Sequence, residues 1–263
     1  MYVGLEDQSA LYRHEVAYCL GQRQDPAAIR ALTDILQDRT EHPMVRHEAG
    51  EALGAISKDE CLEPLRLYVN DPCLEVAQTC QLALQRIEFF DSEEGKRLVD
   101  SSPYMSVDPT PPADVQLPVS KHRECLLDEN ARIFDRYRAM FALRNIGGPE
   151  AVEALTASFD TSSSALLKHE VAYVLGQMQD AHATEKLKQV LENAQENPIV
   201  RHEAAEALGS IASPECLEML KKVCNGLYLV FLFFMMCGKR WNTLQSNSDG
   251  LHHECLSMNR YTL

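Results

Sequence analysis

RHEAGEALGAI, Arg46 to Ile56, decides the fold because it returns as RHEAAEALGSI, Arg201 to Ile211. A sister stretch, RHEVAYCLGQ (Arg13 to Gln22), returns as KHEVAYVLGQ (Lys168 to Gln177). Each of the four holds a His-Glu dipeptide: His14-Glu15, His47-Glu48, His169-Glu170 and His202-Glu203. A spacing of 33 residues separates His14 from His47 and His169 from His202, and 155 residues separate each first-half histidine from its second-half twin. A two-repeat unit has been duplicated, and every copy keeps a pair of metal-ligand residue types.

A period of 33 fits ankyrin, tetratricopeptide or short HEAT-like arrays. The recurring P-x-V-R-x-x-A-x-x-A-L-G stretch resembles the second helix of a HEAT repeat, so the expectation is an all-α, HEAT-like helical-repeat solenoid in two duplicated half-arrays. The ankyrin TPLHxA and the tetratricopeptide Trp/Gly/Tyr signatures are both absent. In HPMVRHEAGEALG (His42 to Gly54) and NPIVRHEAAEALG (Asn197 to Gly209), Pro43 and Pro198 stand where a helix begins and a missing N–H costs little. Ala49, Ala52 and Leu53 give an apolar stripe of helical period. Gly54 and Gly209 fall where C-cap glycines are expected. Partner helices are expected over Pro26 to Gln37 and Ala183 to Asn193. Leu74 to Glu88 and Arg136 to Gly148 read as further units, with Val76-Ala77 and Tyr137-Arg138 in place of the dipeptide.

Between the halves, Asp91 to Ser120 carries five prolines (Pro103, Pro109, Pro111, Pro112, Pro118) and little periodicity, which predicts a Pro-rich linker. The expected domains are therefore a half-array over 1–90, the linker over 91–120, a second half-array over 121–225 and an out-of-pattern tail over 226–263. The 155-residue correspondence holds through Asn70 and Asn225 and stops at Gly226. The reading is of a form truncated at its N-terminus with an aberrant tail. Leu227 to Cys237 is apolar but far short of the roughly 20 residues a spanning helix needs, so no membrane role is expected. His253-Glu254 lacks the repeat context.

A formal charge of −14 argues against nucleic acid, which recruits basic faces, and favours a cationic partner. The nine cysteines include no CxxC pair and read as small buried hydrophobes, Cys19 and Cys80 among them, in a reducing compartment. MYVGLEDQSA has neither the basic nor the apolar region of a signal peptide, so a cytoplasmic location is the expectation.

On its own a His-Glu dipeptide on a helix is ordinarily a solvated face. Here the two units within each half have diverged around it while keeping it, which makes the eight residues metal-ligand candidates. The second helices of a solenoid line its concave face. Four imidazoles and four carboxylates converging there suffice for two ions, with Fe(II) favoured and Mn or Zn as competitors. Glu51 and Glu206 lie one turn after His47 and His202 and are candidates to hold a substrate ammonium or to orient a ligand. Tyr18 and Tyr173 stand one turn after His14 and His169 and could hydrogen-bond a ligand or a metal-bound oxygen, although core packing is the simpler account. Met44 reads as packing, and His42, His122 and His182 as surface residues.

These motifs, with SPYMSVDPTPPA (Ser102 to Ala113) and RYRAMFALRNIGG (Arg136 to Gly148), resemble the deoxyhypusine hydroxylases over about Leu11 to Asn225. The resemblance implies a HEAT solenoid around a non-haem di-iron centre. Its ligands would be His14, Glu15, His47, Glu48, His169, Glu170, His202 and Glu203, holding two Fe(2+) ions. It further implies hydroxylation, with O2 as co-substrate, of the deoxyhypusine side chain of translation initiation factor five A to hypusine. Two other readings remain open: a non-catalytic HEAT scaffold or inactive splice form, and a dimetal hydrolase using the same ligands. Bilin-lyase-like HEAT proteins share the helices but not the ordered dipeptides.

Overall fold

A computed structural model of the chain describes residues 2–98, 102–216 and 220. Among these residues every regular element is helical. The tail over 226–263, with its apolar run and His253-Glu254, lies outside them. No helix of the described residues is long and apolar enough to cross a membrane.

In the first half, α1 (Ala10–Gln22), α3 (Pro43–Ile56) and α5 (Leu74–Asp91) stack side by side, backed by α2 (Ile29–Gln37) and α4 (Asp59–Tyr68). After the short α6 (Glu93–Arg97), the second half pairs α7 (Val119–Leu127) with α8 (Ile133–Ile146). Next come α9 (Gly148–Thr156) and the single turn α10 (Ser158–Thr161). Helix α11 (Ala165–Met178) follows, then α12 (Thr184–Glu192) paired with α13 (Pro198–Ile211). The quoted stretches are thus the inner helices α1, α3, α11 and α13.

Local chemistry sets where these helices start. Pro43 and Pro198 each open a helix, and the side chains of His42 and Asn197 accept hydrogen bonds from the Met44 and Ile199 amides. His42 is exposed and serves as a cap. The glycines do not cap. Helices α3 and α13 continue to Ile56 and Ile211, and the left-handed C-cap residues are Ser57 (φ 52°) and Ala212 (φ 52°). Gly54 is there for close approach, since a Cβ on it would lie 2.6 Å from the Ala83 Cβ of α5. Gly21 meets Ala52 and Gly176 meets Ala207 in the same way. These glycine-on-alanine contacts let α1, α3 and α5, and likewise α11 and α13, pack backbone to backbone, whereas a Cβ on Gly209 would meet nothing within 4 Å. A C-cap glycine and a packing glycine look alike in a linear pattern.

Each half has its own apolar core, Leu32, Leu36, Leu53 and Leu65 in the first and Phe141, Leu143, Leu155 and Leu175 in the second. Cys61, Cys80 and Cys216 are buried as expected, but Cys19, one turn after Glu15 on α1, is exposed. His122 is also not where the sequence placed it. It is only 2% exposed, tucked under the turn at Asp114 and Leu117 that leads into α7.

The two halves are laced together on one side by residues 102–113, which have no helix. Gln22 exchanges two hydrogen bonds with the Val107 backbone (2.8 and 3.2 Å). Arg86 donates to the Asp108 carbonyl (3.0 Å), and Arg144, 1% exposed, grips the Asp108 carboxylate at 3.0 and 2.6 Å. Gln22 and Arg86 belong to the first half and Arg144 to the second, so one strap ties both. On the opposite side, Gln78 and Glu75 of α5 accept from Ser164 (2.9 Å) and Asn197 (3.1 Å).

Candidate metal centre

All four dipeptides face the cleft between the half-arrays. The ring of His14 lies 5.9 Å from that of His47, 6.2 Å from His169 and 6.4 Å from His202, and His47 lies 5.4 Å from His169. Four imidazoles from four separate helices therefore share one pocket, and His14, His47 and His169 can each offer a nitrogen within 4.8 Å of the others.

The carboxylates divide into kinds that the sequence did not separate. Glu48 Oε2 lies 3.2 Å from His14 Nε2 and 3.5 Å from His47 Nε2, and Glu203 Oε2 lies 3.2 Å from His169 Nε2. These two sit among the ring nitrogens. Glu15 instead meets the other face of its own partner, with Oε1 at 3.0 Å from His14 Nδ1, and also stands close to His202 and Glu206. The Glu170 carboxylate has no hydrogen-bond or ion-pair partner among the described residues. Glu206 Oε1 lies 3.0 Å from His202 Nε2, and Glu51 is grouped with His47 and Glu48. Both glutamates singled out one turn on are thus in the pocket.

Within the pocket the carboxylates are countered by imidazoles alone: against the effect of burial, Glu48 and Glu15 raise His14, Glu206 raises His202, and His169 lowers Glu203. Among the described residues no lysine or arginine forms an ion pair with Glu15, Glu48, Glu51, Glu170, Glu203 or Glu206. Burial and the neighbouring Glu48 push the Glu51 carboxyl well above its usual range, and burial with Glu51 does the same to Glu170. Burial and the nearby His169 and His14 push His47 well below the usual imidazole range, so its ring is neutral. The ring nitrogens Nε2 of His14, His47, His169 and His202 are buried and make no hydrogen bond. Buried ring nitrogens without a hydrogen bond, beside carboxylates that meet only imidazoles, are costly unless a cation joins them. The donor set, imidazole plus carboxylate without thiolate, fits a divalent transition metal.

Two contributors, Thr79 and Tyr137, lie outside the duplicated dipeptide stretches. Thr79 Oγ1 of α5 lies 3.1 Å from His47 Nδ1. Tyr137, fully buried where a fifth dipeptide would begin, donates its hydroxyl to the Leu166 carbonyl (3.2 Å) just before His169. Tyr18 and Tyr173 do not simply pack, for their hydroxyls meet at 2.8 Å across the two halves. The sequence places both tyrosines one turn after a pocket histidine, but their contact with each other has no signal in it.

Fold and pocket together define a HEAT-repeat protein with a histidine–carboxylate centre between two half-arrays. Residues 3–94 and 161–226 match the HEAT repeats family, and 135–161 match the PBS lyase HEAT-like repeat. The chain is 57% identical over 197 residues to deoxyhypusine hydroxylase of Gallus gallus, covering 75% of this chain and 64% of that one. With the Homo sapiens protein it shares 55% identity over 195 residues, covering 74% and 63%. A solved structure of human deoxyhypusine hydroxylase in complex with glycerol superposes with a TM-score of 0.81 at 49% identity, covering 92% of this chain and 82% of that one. The chain belongs to the deoxyhypusine hydroxylase family. It spans less than two thirds of the length of the curated relatives it matches.

Proposed function

We propose that this chain binds two iron ions in the cleft and acts as a deoxyhypusine monooxygenase. The observation that carries the reading is the convergence of four buried Nε2 atoms, none hydrogen-bonded, on carboxylates that no lysine or arginine neutralises. His14, His47 and Glu48 from the first half would hold one ion, and His169, His202 and Glu203 from the second the other. Glu15 would orient His14 through Nδ1, and Glu170 would face the substrate side of the cleft. Bound iron supplies the O2 activation that side chains alone cannot perform.

The chain's own residues do the rest. Closely packed inner helices hold the imidazoles at fixed spacing, and the Asp108 strap closes the cleft on one side. Glu51 and Glu206 provide anionic character for a substrate side chain carrying a secondary amine and a terminal ammonium. The protein substrate would be the deoxyhypusine form of translation initiation factor five A, with O2 as co-substrate, and the reaction cytoplasmic.

The test is metal content and O2-dependent visible absorption of the purified chain. Two irons per chain with an oxygen-dependent band support the oxygenase. A helical protein that takes up no iron overturns it in favour of a scaffold. Full metal loading with hydrolytic turnover and no oxygen-dependent band would favour a dimetal hydrolase.

A further inference from the structure

Tyr18 and Tyr173 form the hydrogen bond that joins inner helices α1 and α11 directly, with Oη atoms 2.8 Å apart and rings inclined at 67°. Each lies one helical turn beyond a histidine of the pocket, His14 or His169. Arg144 Nη1 contacts Gln177 Oε1 at 2.7 Å, and a guanidinium only donates, so the Gln177 oxygen faces Arg144. The Gln177 NH2 must then face Tyr173, donating to its Oη at 3.0 Å.

The two hydroxyls carry two protons, and a single one lies between their oxygens. The other has no protein acceptor among the described residues. Each ring lies one turn beyond a pocket histidine, on the same helix face, and neither is fully buried, which leaves the cleft as the space open to this proton. Burial raises the Tyr18 pKa, and Glu48, Glu203 and Glu51, carboxylates of both halves, raise it further. None of them accepts a hydrogen bond from it.

We infer that Tyr18 and Tyr173 together present one O–H donor to a small anionic ligand held between the two half-sites. The inference rests on the cation-binding reading of the pocket. It treats the tyrosines as a shared donor and not as a clamp. Replacing either one leaves the other hydroxyl with a free proton, whereas a clamp is broken by either replacement.

The experiment loads the full chain and its Tyr18→Phe, Tyr173→Phe and double variants with Co(II), then titrates each with azide by visible absorption. Circular dichroism confirms the helices in each. A donor role gives near-equal Co(II) content in all four proteins and azide affinity about 10-fold weaker in the double variant, the size of one hydrogen bond to a charged ligand. Each single variant then falls well short of the double. Equal azide affinity in all four overturns the inference while the metal reading stands. So do single variants as impaired as the double, or Co(II) lost from the variants alone, since both outcomes describe a clamp. No Co(II) in the unsubstituted chain sinks the metal reading and the inference with it.

Discussion

Thr79 holds His47 by its far nitrogen, Oγ1 to Nδ1 at 3.1 Å, from the neighbouring repeat. With the threonine oxygen accepting from Nδ1–H, Nε2 keeps its lone pair for the pocket. Thr79→Val preserves shape and removes that acceptor. It should weaken metal binding about 10-fold with helix content unchanged, and Thr79→Ser should restore most of the affinity. Competition with a chelator measures it, and a valine variant of undiminished affinity would show that packing alone sets the ring.

His47→Ala and His202→Ala should each abolish loading of one metal ion while leaving the far-ultraviolet spectrum nearly intact. The affected side chains line a cleft and not either apolar core. Elemental analysis decides, and full occupancy in both variants would refute the ligand assignment.

Gly54→Ala should destabilise the chain by about 1–3 kcal/mol, although alanine is the better helix former. The new methyl would lie 2.6 Å from the Ala83 Cβ and 3.0 Å from its Cα, and backbone has nowhere to move without separating α3 from α5. Urea denaturation reads the effect. A gain in stability would show that the repeats are less tightly apposed than described.

The buried pair of Arg46 and Asp71, 2.6 Å apart, gives a pH dependence. Burial by itself would raise the Asp71 carboxyl, but hydrogen bonds from Arg46 and the Cys73 amide outweigh it and hold the pKa below the ordinary value. A depressed folded-state pKa adds stability above the unfolded value, near pH 4, and that contribution is lost as pH falls through the folded one. Asp71→Asn should therefore cost roughly 3 kcal/mol near neutrality and flatten the acid limb of the stability curve. Parallel curves for both proteins between pH 3 and about 5 would exclude the pair as its source.

How much the sequence disclosed differed by element. The inner helices α3 and α13 were legible nearly to the residue, because proline marks their starts and the apolar stripe their course. Their ends were misjudged. Gly54 looked like a cap, and only the distance to Ala83 shows it to be a packing contact. His122 looked exposed because nothing in its own helix reports the turn folded over it. The strap read as an unstructured linker, since hydrogen bonds from Gln22, Arg86 and Arg144 to residues 106–108 have no local pattern.

The sequence by itself determined the repeat architecture, the four inner helices and the His-Glu pairs, because periodicity and duplication are properties of a line of residues. Only the tertiary structure decided which carboxylate serves which purpose. Glu48 and Glu15 belong to identical dipeptides, yet one oxygen points among the Nε2 atoms and the other binds Nδ1 from behind. That division, like the meeting of Tyr18 with Tyr173 across 155 residues, depends on how two half-arrays face each other, and facing is set by long-range packing that no local pattern records.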